Sequence, residues 1–226
     1  LSSREIHPHI IQHGGLDSLI LLSGLDSCSC EECRYLTALS FHKLTPSPTS
    51  HETLIHDGLK NIMSLIKDVQ RDTRKHAVSA LRDLSSNGRD NIIFFQLGVP
   101  ALMVELIKEN DTDIKTIALS VLRHLSPNNV ITDGFDTSDI VPSVIRCISH
   151  ANEDMRCQVA GLFANLSEHR ECHTSIVSGE IGNAIKSLIS IEQDEIWQVS
   201  SLVFIIDLLF CIILTSFHIL ASPCPY

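Results

Sequence analysis

The residues best able to do chemistry lie close together in Cys28-Ser29-Cys30-Glu31-Glu32-Cys33, with His42, His51 and His56 following. Thiolate sulfur and imidazole nitrogen are the donors that tetrahedral zinc takes. A structural zinc site usually draws its ligands as two closely spaced pairs, and no second Cys-x-x-Cys pair exists in the chain. The cluster therefore reads as ordinary loop and core thiols, and neither a metal nor a cofactor is expected. Cys147, Cys157, Cys172, Cys211 and Cys224 show no framework spacing, which fits reduced thiols in a cytoplasmic protein.

Nucleophilic catalysis finds no support either. Cys172 and His173 are adjacent, but neighbours on a helix point about 100° apart and cannot act together as nucleophile and base. No catalytic residue is assigned and the chain is not expected to be an enzyme. Phosphate-binding Gly-rich loops are absent. The net charge is −10, from 17 Lys and Arg against 27 Asp and Glu; nucleic acid is thus not an expected ligand, because phosphate binding needs a basic stripe. Thr45-Pro46 and Ser47-Pro48 sit in a Pro/Ser/Thr stretch, Thr45 to Ser50, that reads as a loop insertion open to a proline-directed kinase.

The elements that would position these residues show themselves by recurrence. Leu84 of Ser79-Ala80-Leu81-Arg82-Asp83-Leu84-Ser85 is followed 41 residues later by Leu125 of Ser120-Val121-Leu122-Arg123-His124-Leu125-Ser126, and after 41 more by Leu166 of Gly161-Leu162-Phe163-Ala164-Asn165-Leu166-Ser167. An earlier copy, Leu36-Thr37-Ala38-Leu39-Ser40, lies 45 residues upstream of Leu84, the Thr45 to Ser50 insertion taking up the difference. A turn signal follows each ending, at Gly14-Gly15, Gly58-Leu59, Gly98-Val99-Pro100 and Gly179-Glu180, with Asp139 to Pro142 in the equivalent place. An apolar run of helical period comes next, such as Leu102, Met103, Leu106 and Ile107. Each unit reads as a short helix, a sharp turn, a middle helix, a polar loop and a long third helix, and the chain as all-α.

This pattern resembles the armadillo repeat over residues 1 to 203, at about five units. The resemblance implies an armadillo-type α-solenoid, a right-handed superhelix of three-helix repeats whose third helices line a concave groove. It implies a protein–protein interaction scaffold whose partners are extended peptide segments of other proteins. In importin-alpha and beta-catenin an Asn near the end of the third helix holds the peptide backbone; here that position carries Ala38, Asp83, His124 and Asn165. One turn earlier the importin-alpha class places Trp, whereas this chain has Arg34, Ser79, Ser120 and Gly161, so nuclear-localisation-signal binding is not expected. Two turns earlier stand Cys30, Lys75, Thr116 and Cys157. Residues four apart share a helical face, so the candidate partner-binding groove is Lys75, Ser79, Asp83, Thr116, Ser120, His124, Gly161 and Asn165. Arg82 and Arg123 flank it as a basic strip, with Arg74, Lys75, Lys115 and Arg156 nearby, either steering an acidic ligand or pairing with Asp72, Asp83, Asp113 or Asp154.

The expected organisation is the end of a truncated upstream repeat over 1–6, units at about 7–44, 51–87, 88–127, 128–168 and 169–203, and an apolar tail over 204–226. Leu202 to Ala221 is interrupted only by Asp207, Thr215, Ser216 and His218, and about 20 helical residues match the hydrocarbon thickness of a bilayer. The alternative to a freely diffusing cytoplasmic adaptor is therefore one tethered to a membrane through residues 202–221.

Overall fold

The computed structural model describes residues 3–23, 30–88, 91–127, 137–148 and 152–167. No strand occurs among them. The chain divides into two compact units, residues 1–99 and 100–226. The first holds α1 (Ser3–Gln12), α2 (Gly15–Ser23), α3 (Glu31–Leu44), α4 (Pro48–Thr53), a π-helical turn (Leu54–Gly58), α5 (Leu59–Ile66), α6 (Arg71–Ser85) and α7 (Asn91–Gln96). The second holds all but the first residue of α8 (Val99–Lys108), then α9 (Thr112–Leu125), α10 (Thr137–Ile148) and α11 (Glu153–Ser167). The expected boundary at 6 falls inside α1 and that at 51 inside α4, while 169–226, including the apolar stretch, lies outside the described residues.

The long third helices are α3, α6, α9 and α11, and they share parts of one local grammar, with side-chain caps at the start of α9 and α11 and a hydroxyl at the end of α3, α6 and α9. An extended residue precedes the first turn at Cys30, Gln70 and Asp111, and Asn152 stands in the same place. The Asp111 carboxylate accepts from the N–H groups of Asp113 and Ile114, both at 3.1 Å, and Asn152 Oδ1 accepts from Met155 N–H at 2.8 Å. Such caps satisfy N–H groups that the first turn leaves without partners. At the other end Thr45, Ser85 and Ser126 each turn a hydroxyl back to the carbonyl three residues before, His42, Arg82 and Arg123, at 2.8 Å. The leucine just ahead of that hydroxyl, Leu44, Leu84 or Leu125, is buried, as is Leu166.

This grammar corrects the register of the first unit. Cap to leucine is 14 residues in every case, Cys30 to Leu44, Gln70 to Leu84, Asp111 to Leu125 and Asn152 to Leu166. The first copy is thus Phe41-His42-Lys43-Leu44-Thr45, not Leu36-Thr37-Ala38-Leu39-Ser40. Phe41 is 0% exposed, like its counterparts Leu81, Leu122 and Phe163, whereas Leu36 is 49% exposed. Burying such a side chain contributes about 1.5–3 kcal/mol, so packing selects Phe41. Lys43 replaces Ala38 in the groove row, Leu39 replaces Arg34, and Tyr35 replaces Cys30.

The supposed insertion is likewise structured. Thr45 is fully buried at the end of α3, with its hydroxyl bonded to the His42 carbonyl and the Asp83 carboxylate, so a kinase would reach it only if this end of α3 opened. Ser47 stands at the N-cap position of α4, with its hydroxyl bonded to Thr49 Oγ1 at 2.8 Å and not to the backbone of the first turn. The expected break at Gly58 is absent: the chain stays helical from α4 through the π turn into α5, and Gly58 has an ordinary φ of −96°. Sharp turns do occur at Gly14 and Gly98, with φ of 73° and 75°, values that only glycine adopts without strain.

Candidate protein-binding face

In the first unit α3 packs along α6, and the seam between them is polar. His42 Nδ1 and His76 Nδ1 lie 3.1 Å apart, so one imidazole donates and the other accepts. Their ring centroids are 5.4 Å apart, and Tyr35 meets His76 edge-on at 5.6 Å. Burial lowers the pKa of both imidazoles; for His42 the Asp83 carboxylate opposes this, and for His76 the Asp72 carboxylate does. Asp83 accepts from Thr45 Oγ1 at 3.0 Å and from Arg82 Nε and Nη2 at 3.1 and 2.9 Å. Arg34 Nε, in the first turn of α3, pairs with Asp68 in the loop before α6.

The second unit repeats the seam with different residues. Asn165 on α11, the counterpart of Asp83, donates its amide to the Arg123 carbonyl at 3.0 Å and to Ser126 Oγ at 2.8 Å. Arg123 Nη1 donates to Gln158 Oε1 at 3.2 Å, the contact that His42 and His76 make in the first unit. A Cβ at Gly161 would lie 2.5 Å from Arg123 Nε. The space that a large side chain would take at this position is therefore filled by the chain's own guanidinium, which accounts for glycine there.

Each residue expected in the groove can now be located. Lys75 and Asp83 on α6, Thr116 and His124 on α9, and Asn165 on α11 are half-buried. Ser79 and Ser120 are only 5% and 8% exposed, and Ser79 Oγ donates to the Lys75 carbonyl at 2.8 Å; they line the helices inside rather than at the face. Gly161 lies under Arg123. The Asn165 amide nitrogen is engaged with the Arg123 carbonyl and Ser126 Oγ at the end of α9. Of the flanking pair, Arg82 is tied to Asp83 and Arg123 to Gln158. Sequence reasoning missed Tyr35 and Lys43 because the misplaced first copy hid their place in the row; it gave Thr45 a different role and passed over His76, whose counterpart at Gln158 is not a histidine. Aligning Phe41 and Thr45 with Leu81 and Ser85 would have found Tyr35 and Lys43.

Among the described residues no three His, Cys, Asp or Glu side chains converge as metal ligands. Cys30 and Cys33 open α3 while His42 lies at its far end beside His76; Cys28, Cys172 and His173 lie outside the described residues. His51 faces the Thr45 carbonyl through Nε2 and Asn87 through Nδ1, in an open cleft of about 580 Å³ that Glu52, Ile55 and His56 also line. Among the described residues no helix is long and apolar enough to cross a membrane.

No family model and no curated protein matches the chain. Solved structures do. A designed armadillo repeat protein in complex with the peptide (KR)4 superposes at a TM-score of 0.80 with 17% identity, over 92% of this chain and 87% of that one. Computationally designed armadillo repeat proteins for modular peptide recognition give 0.81 and 17%, over 90% and 86%. An engineered protein gives 0.80 and 15%, over 93% and 85%. The fold is an armadillo-type α-solenoid.

Proposed function

We propose that this chain is a non-catalytic, cytoplasmic protein-binding scaffold that holds an extended peptide segment of a partner against its third helices. The observation that supports the reading is the half-buried polar row on helices whose other sides are core: Lys75 and Asp83 beside buried Ala77, Val78, Ala80 and Leu81, and Thr116 and His124 beside buried Ala118, Leu119, Val121 and Leu122. An extended peptide brings N–H and C=O groups that must find partners when water is excluded, and such a row supplies them. The peptide-bound design and the modular peptide-recognition designs of the same fold support an extended segment as the ligand. The net charge of −10 argues against nucleic acid.

The test is selection of peptides on the purified chain from a displayed library, followed by anisotropy titration. Replacing Lys75 and Asp83 together by Ala, or Thr116 and His124 together, is expected to weaken binding at least about tenfold, equivalent to about 1.4 kcal/mol. A selection that returns no peptide, or affinities that neither pair changes, defeats the proposal. A second reading, a membrane-tethered scaffold, rests on the apolar sequence from Leu202 to Ala221. Carbonate extraction of the full chain and of one lacking residues 202–226 decides it, since only an inserted tail resists release.

A further inference from the structure

The first turn of α3 differs from its counterparts in what stands at its cap. Where α9 has the Asp111 carboxylate, α11 the Asn152 side-chain carbonyl and α6 Gln70 without a side-chain capping bond, α3 has the Cys30 sulfur. Cys33 follows one turn later, and both cysteines are exposed. The turn between them is regular: Cys30 is extended, with φ of −72° and ψ of 122°, and its carbonyl already accepts from Arg34 N–H at 3.1 Å. Helical geometry puts Cα atoms three residues apart at about 5 Å, inside the range of about 4.4–6.8 Å that a disulfide spans.

We infer that Cys30 and Cys33 are a thiol–disulfide exchange site, with Cys30 the attacking sulfur, that glutathione disulfide converts to a disulfide within the first turn of α3. The Cys30 side chain makes no capping hydrogen bond as a thiol. As a thiolate it faces the Cys33 N–H, then the Cys33 thiol, then the Glu32 N–H, and these hold its pKa below the ordinary thiol value, with desolvation and then the Glu32 charge opposing. This is the environment that the Asp111 carboxylate occupies in α9, and it favours an anion for the same reason.

The exchange balances without any other reactant. The Cys30 thiolate attacks one sulfur of glutathione disulfide, breaking that S–S bond and expelling a glutathione thiolate. Cys33, losing its proton to water, then attacks the Cys30 sulfur and expels the second glutathione thiolate. Two protein thiols are oxidised and one glutathione disulfide is reduced to two glutathione thiols. The new bond closes within one helical turn, at the end of α3 away from His42.

The full chain is equilibrated in glutathione buffers of rising oxidised fraction, quenched with N-ethylmaleimide and mapped by peptide mass spectrometry. The expected result is loss of the alkyl label from Cys30 and Cys33 together, with recovery of a Cys30–Cys33 linked peptide. Cys33→Ser should accumulate a glutathione adduct on Cys30, and Cys30→Ser should form far less on Cys33. Alkylation of both cysteines across the whole series overturns the inference, as does a disulfide from Cys28 to either of them. Equal glutathione uptake by the two variants removes Cys30 from the attacking role and overturns it too. The unsubstituted chain carries the first two outcomes by itself.

Discussion

Replacing Phe41 by Ala tests the register on which the first unit is built. Phe41 is fully buried between α3 and its neighbours, while Leu36, one and a half turns earlier, is 49% exposed. Truncating a buried Phe costs about 3–5 kcal/mol. Leu36 has given up about half its surface, so its removal forfeits about 1 kcal/mol, half the worth of a fully buried leucine. A gap of about 2–4 kcal/mol therefore separates the two variants. Phe41→Leu serves as the control, because Leu81 and Leu122 hold the same place, and it removes fewer buried atoms and leaves a smaller cavity than Phe41→Ala, so it should cost clearly less. Urea titration followed by far-UV circular dichroism reads the cost, and hydrogen exchange of α3 amides localises it, since repeat arrays open by segments. If Leu36→Ala costs as much as Phe41→Ala, the first third helix ends at Leu39 and the structural register is wrong.

Three further outcomes follow from the seams and caps. Asp111→Ala removes the acceptor for two N–H groups of α9 and should lower stability by about 1 kcal/mol; Asp111→Asn should recover most of the loss in the same thermal melt, and equal melting of all three chains would deny the cap. Asn165→Ala deletes both hydrogen bonds to α9, worth about 1–2 kcal/mol together. Asn165→Asp should retain only a bond from Ser126, as Asp83 does from Thr45, and so fall between; a fully stable Asn165→Ala contradicts the seam. His42 and His76 both have imidazole pKa values lowered from the ordinary 6.5 by burial. The unfolded chain therefore takes up protons at a pH where the folded chain does not. Stability is full above the unfolded value and falls as pH drops through it toward the lowered folded values. Thermal melts between neutral and mildly acidic pH should show this slope, and His42→Gln with His76→Gln should flatten it; an unchanged slope would assign the titration elsewhere.

The repeat was legible from Leu84, Leu125 and Leu166 because helices of one kind impose one spacing of core positions, and an apolar period survives divergence of everything around it. The same logic failed in the first unit. Leu36-Thr37-Ala38-Leu39-Ser40 matches the motif letter for letter, while the true ending uses Phe for Leu and Thr for Ser. A string comparison prefers identity; packing prefers volume and a hydroxyl that can reach back one turn, and Phe41 and Thr45 meet both needs. Gly58 misled in a similar way, since glycine permits a left-handed turn but does not require one.

The candidate face divides along the same line. Residue type and spacing placed Lys75, Ser79 and Asp83 on one stripe of α6 and Thr116, Ser120 and His124 on one stripe of α9, because a 3.6-residue period is a property of the helix alone. Which members of a stripe stay accessible depends on the neighbouring helix, and only the packed units show Ser79 and Ser120 buried, the Asn165 amide spent on Arg123 and Ser126, and the Gly161 space taken by a guanidinium. Hydrophobic period is a local, additive signal that a chain carries in its letters. Hydrogen-bond partners some 40 residues away in sequence are chosen by distance and angle, and those exist only once α3 lies along α6 and α9 along α11.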